Sequence, residues 1–88
     1  MNKQKVIIEA LAMDLKRVAL GLHRGSFQMA NRFKEEALKR QEELETQVTN
    51  DYLRKLLERC RKTLNAEDAL MYSTLFQNYA LKKFDVGG

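Results

Sequence analysis

Proline and tryptophan are absent from this 88-residue chain, and glycine occurs only at Gly21, Gly25, Gly87 and Gly88. Average usage would supply about four prolines at this length, so their absence favours long helices. Cysteine and histidine occur once each, as Cys60 and His23. One thiol cannot close an intramolecular disulfide, which excludes a disulfide-stapled secreted scaffold. Apolar runs reach only three or four residues, as in Val6-Ile7-Ile8. That is far short of the roughly 20 needed to span a bilayer. The basic start Met1–Lys5 is followed by the charged residues Glu9, Asp14, Lys16 and Arg17 rather than by the apolar core of a signal peptide. A cytoplasmic protein without membrane partners is expected.

No glycine-rich phosphate loop, Ser/His/Asp set or Glu-x-x-His metal pattern occurs. The sequence therefore points to no enzyme, cofactor or metal. Charged residues make up 32% and hydrophobic ones 44%, a balance that places the chain among folded domains. At this length one domain spanning 1–88 is expected, close to the lower limit of what buries a core alone. Self-association is a common remedy.

The charge is distributed in blocks. Residues 1–34 carry seven basic side chains against two acidic ones, 35–51 two against six, 52–64 five against one, and 65–88 two against three. Alternation of this kind suits neighbouring helices of opposite sign at least as well as an external polyanion.

The strongest positive signal is a helical stripe. At ~100° per residue, Leu11, Leu15, Val18, Ala19, Leu22, Ser26, Met29, Ala30, Phe33, Ala37, Leu44 and Val48 all fall within about −80° to +40° of Ile8. Leu11, Leu22, Phe33 and Leu44 recur every eleven residues, a period that needs little supercoiling. The spacing predicts one helix over 3–47, bent at most near Gly25 and about 67 Å long at 1.5 Å per residue. The competing reading breaks it into two helices, with Gly25 as C-terminal cap and Ser26 as N-cap. Two glycines inside a helix cost only about 2 kcal/mol together, which favours the continuous form. The Gly21-x-x-x-Gly25 spacing also marks a place where another helix could cross closely.

Thr49-Asn50-Asp51 reads as a turn and N-cap for a helix over 51–64, with Leu53, Leu56, Leu57, Cys60 and Leu64 on one face. Asn65-Ala66-Glu67-Asp68 resembles a capping box and opens a helix over 66–84. Because Met71 and Leu75 keep the phase of the preceding helix, a single bent helix over 51–84 is an alternative. The expectation is an all-α, three-helix bundle or hairpin, its two shorter helices folding back on the long one. Together they would cover about 48 Å of its 67 Å, leaving the remainder for a second subunit.

The last helix is apolar around most of its circumference, with Ala69, Ser73, Phe76 and Ala80 on one narrow face and Tyr72 and Tyr79 beside it. Leu70, Met71, Leu75 and Tyr79, together with the outlying Phe27 and Leu38, are the candidate oligomer interface. The functional expectation is a helical protein-interaction or adaptor module, with coiled-coil-like character, that self-associates as a dimer or tetramer and binds another protein. The alternative is a nucleic-acid-associated regulator using Arg54, Lys55, Arg59, Arg61 and Lys62, five cations within nine positions. No helix-turn-helix or zinc-finger spacing accompanies them. Arg17 and His23, six residues apart, resemble the Arg/His pair of the HEPN family, in which such a pair serves RNA cleavage. The polar residue that follows the arginine in that family is Val18 here, and no site is carried over.

Overall fold

Gly25 is the only described residue with a positive φ, +76°, and the chain reverses there. The Gly25 N–H donates to the Leu22 carbonyl at 3.1 Å, and the Ser26 N–H reaches back to the Gly21 carbonyl at 2.8 Å. These two bonds form a Schellman motif, which satisfies carbonyls that a helix end leaves open. In the computed structural model, which describes residues 3–47, 50–62 and 66–85, the expected single helix over 3–47 is therefore two: α1 (Lys3–His23) and α2 (Phe27–Glu45). Ser26 takes the N-cap position of α2, but its side chain makes no capping hydrogen bond.

The reversal answers the burial problem that the long helix left open. Two amphipathic helices of about 20 residues can bury their stripes against each other and a shared core. A 67 Å rod needs a partner of its own length. Because each half faces the same interior, the stripe exists on both sides of the turn whether or not the helix continues.

Gly21 has its own role. A Cβ built there would lie 2.9 Å from the Ala30 backbone nitrogen and 3.1 Å from its Cα, so the start of α2 crosses α1 too closely for any side chain. The close helix crossing expected from the glycine spacing is made within the hairpin.

The remaining elements are α3 (Asp51–Lys62) and α4 (Ala66–Ala80), which runs on into a π-helical turn, Leu81–Asp85. Asn50 caps α3, its Oδ1 accepting the Leu53 N–H at 3.1 Å. The expected capping residue Asn65, the stripe residue Val48 and the face residue Leu64 lie outside the described residues.

The described residues thus form an all-α bundle of four helices rather than three, measuring 40 × 24 × 20 Å. No helix of about 67 Å remains to be covered, so helix length no longer calls for a second subunit. Helix α1 occupies the middle, antiparallel to α2 and to α4. Near its start the Gln4 side chain donates to the Gln47 carbonyl beyond α2, at 3.5 Å. On its other flank the buried Ser73 hydroxyl donates to the Ala12 carbonyl at 2.6 Å. Helix α3 closes the ring, tied to α2 by Gln41 and Cys60 and to α4 by the stacked rings of Tyr52 and Tyr79.

The core contains Ile8, Leu11, Leu15, Leu44, Leu53, Leu57, Cys60 and Phe76, all fully buried. The expected faces of α3 (Leu53, Leu56, Leu57, Cys60) and α4 (Ala69, Ser73, Phe76, Ala80) point inward.

The left-handed turn predicts a sign. Gly25→Ala should destabilise the protein by about 1–2 kcal/mol, because a side chain strains the positive φ. In a continuous helix the same change would stabilise by about 1 kcal/mol. Urea unfolding of the variant distinguishes the two. Gly21→Ala should cost more, since backbone rather than a movable side chain stands in its way.

Candidate interaction surfaces

A groove of about 450 Å³ runs between α1 and α4, its walls formed by Lys5, Glu9, Met13 and Lys16 on one side and Gln77 and Leu81 on the other. Small residues make its floor: Ala12 from α1, Ser73 and Ala80 from α4. It continues toward the hairpin turn as a depression between Lys16, Ala19, Leu20, His23, Glu67 and Leu70. Helix α1 and α4 approach closely because their facing positions are short side chains, and the longer ones stand up as rims.

Along the outer edge of α1, Val6, Met13 and Leu20 are 49%, 54% and 40% exposed. Seven-residue spacing places them on one line, about 120–160° from Ile8. Leu70 and Leu81, both about half exposed, rise from α4 at the two ends of the groove. Leu70 is among the interface residues expected from the sequence, whereas Val6, Met13, Leu20 and Leu81 are not. Their signal was available: three large apolar residues recur every seven positions on the face otherwise assigned to solvent.

The other expected interface residues are dispersed. Phe27, 68% exposed, stands at the first position of α2, and Leu38 is half-buried in the same helix. Met71, Leu75 and Tyr79 lie on the α3 side of α4, where Leu75 and Tyr79 pack against the chain's own core and burial raises the Tyr79 phenol above its ordinary pKa. The apolar circumference of α4 is accordingly shared between α1, α3 and a remaining exposed edge.

The five basic residues of α3 part in two directions. Arg54 and Arg61 line a cleft with Glu45, Leu57 and Glu58, and Arg61 pairs with Glu45 of α2. This is the pairing between basic and acidic blocks that the charge alternation implied. Lys55, Arg59 and Lys62 lie on other sides of the helix and are exposed.

Arg17 and His23 are not brought together. The Arg17 guanidinium lies 5.3 Å from the Phe33 ring centroid on the α2 side. His23 faces the groove beside Leu70 and Glu67. The HEPN resemblance finds no common site.

Two buried polar groups escaped the sequence reading. Asp14 is almost fully buried between α1 and α2, 3.7 Å from Arg40 and 3.9 Å from Arg17. Its Oδ2 and the Arg40 Nε have no hydrogen-bond partner. Gln41 is fully buried and donates to the Cys60 sulfur at 3.2 Å, its own Oε1 left without a partner. Gln41 falls about 60° from Ile8, just beyond the stripe's edge, which was the available signal. Burial pushes the Cys60 thiol up to about 12, so it is a packing residue with little thiolate to offer. Among the described residues no three His, Cys, Asp or Glu side chains gather as a metal set, and no helix is long and apolar enough to cross a membrane.

Asp14 generates a pH prediction. Loss of hydration raises its pKa above 3.8, against the opposing pull of Arg40 and Arg17. The folded carboxyl then keeps its proton to higher pH than the unfolded one. Wild type should lose stability relative to Asp14→Asn as pH rises from 3.8 through the raised folded value, and the difference should be constant above it. Urea midpoints of both proteins across the acidic range test this; a difference that grew in favour of wild type would contradict it. Compared with known proteins, the chain matches no family model, no curated protein and no solved structure.

Proposed function

We propose that this chain is a helical protein-interaction module that pairs with a second copy of itself through the α1/α4 groove. The observation carrying this reading is the exposed line Val6, Met13, Leu20 on α1, of which Met13 and Leu20 rim the groove beside Glu9 and Lys16. A run of large apolar side chains at helical spacing is costly to leave in water and fits a helix laid alongside it.

Charge selects the occupant and its direction. Glu9 and Lys16 sit four residues before and three after Met13. If two copies pack their α1 helices antiparallel across a two-fold axis near Met13, Glu9 lies opposite the partner's Lys16, and Leu20 opposite the partner's Val6. Met13 meets the partner's Met13. The surface is self-complementary, as an isologous interface requires. A parallel pairing would set Glu9 against the partner's Glu9 and Lys16 against the partner's Lys16, which is repulsive. In the antiparallel arrangement each α1 settles beside the other's groove, where Leu70 and Leu81 extend the contact. The module would act by association, and binding of a further protein would use surfaces left outside the pair.

Light scattering of the wild-type chain should give twice the monomer mass, and Met13→Asp should return it to the monomer while the far-ultraviolet circular dichroism stays helical. Glu9→Lys or Lys16→Glu alone should weaken the pair, and the double exchange should restore it. Under oxidation Met13→Cys should form a disulfide-linked dimer, whereas Val6→Cys should not, with buried Cys60 silent in the wild-type control. A monomeric wild type rejects self-association. A dimer cross-linked through Val6→Cys but not Met13→Cys rejects the antiparallel register.

A further inference from the structure

The division of α3's cations leaves one edge with a composition of its own. Tyr52, Lys55, Arg59 and Lys62 follow at spacings of three, four and three residues, forming a single stripe along the helix. All four are exposed, Tyr52 at 56%. The Tyr52 ring stacks on Tyr79 of α4, centroids 6.0 Å apart and planes 17° from parallel. Beside Tyr79 on α4 lie the half-buried Leu75 and the exposed Met71, with the exposed Lys82 three residues further on. Tyr79 and the cations of α3 belong to different helices, at least 17 residues apart in the chain. The tertiary fold brings an aromatic pair and a row of cations onto one face.

We propose that this α3/α4 face binds single-stranded nucleic acid. Tyr79 supports Tyr52 from one side, so the other face of the Tyr52 ring is available to stack an unpaired base. Lys55, Arg59 and Lys62 continue from it along successive turns of α3, in position to follow the phosphates of the strand. Arg54 and Arg61 take no part, because they turn toward α2 and Arg61 is engaged by Glu45.

The pairing of ring and cation is what selects the ligand. Cations alone attract any polyanion, duplex and acidic protein included. An exposed aromatic face adds affinity only where the ligand has unstacked bases to offer, as single strands do and duplexes do not. Ribose and deoxyribose strands share this chemistry. The site lies on the opposite flank of α4 from the groove and does not depend on self-association.

The test is fluorescence anisotropy of labelled oligo(U) and oligo(dT) with the full chain over a salt series. Both strands should bind with an affinity that falls steeply as salt rises. Tyr52→Ala should weaken binding by roughly tenfold, and Tyr52→Phe should retain it. Lys55→Gln and Lys62→Gln should each lower the slope of log affinity against log salt by about 0.7, and Arg61→Gln should leave the slope unchanged. The Met13→Asp variant should keep the site. Absence of binding at low salt overturns the proposal. So does an affinity that Tyr52→Ala leaves untouched, or a competing duplex or poly-glutamate that binds as well as the strands; those outcomes mark a generic cationic face.

Discussion

A left-handed residue at Gly25 turns one apolar stripe back upon itself, and the rest of the bundle is arranged around that turn. The two helices it joins can meet at their closed end only because Gly21 presents no side chain to Ala30. With α1 and α2 held in this way, α1 has two flanks left to fill. One receives α4 along a seam of short residues, Ala12, Ala19, Ala69, Ser73 and Ala80. The remaining opening is closed by the leucine face of α3.

The central place of α1 explains why polar groups are buried on it and on its neighbour. Asp14 lies toward α2, where it meets Arg40 and Arg17 but gives up most of its hydration, and the balance leaves its pKa raised. A buried ion pair of this kind is weak evidence for stability. It does limit how α1 and α2 slide past each other, since any shift separates the carboxylate from Arg40. Gln41 and Cys60 make a similar contact between α2 and α3. The short seam residues have the opposite effect at the surface: because α1 and α4 pack so closely, Met13, Leu20, Leu70 and Leu81 have no room inside and become the rims of the groove.

Much of this was legible in the residues. The helical stripe, the inward faces of α3 and α4, and the cap at Asn50 follow from periodicity and from the hydrogen-bonding habits of particular side chains. The glycine positions named both outcomes, a continuous rod or a hairpin. Summing helix propensities favoured the rod, because two glycines cost little within a helix. That sum omitted the burial gained when α1 and α2 face one core. The candidate interface was also legible only in part. Leu70 was recognisable as apolar on an apolar helix, but Leu75 and Tyr79 look the same in sequence and pack inward.

The sequence by itself determined the helical class, the cap at Asn50 and the inward stripe of α1, α2 and α3, because these depend on residues within one or two turns of each other. The tertiary structure decided that the stripe folds at Gly25, since the energy favouring the hairpin comes from contacts between residues far apart in the chain. It also decided which exposed groups share a surface. Met13 and Leu20 border a groove only because α4 lies beside α1. Tyr52 and Tyr79 stack only because α3 closes the ring, while the same rotation of α3 turns Arg61 to Glu45. Which neighbour a helix edge meets is a property of the packing, and no periodicity within the helix encodes it.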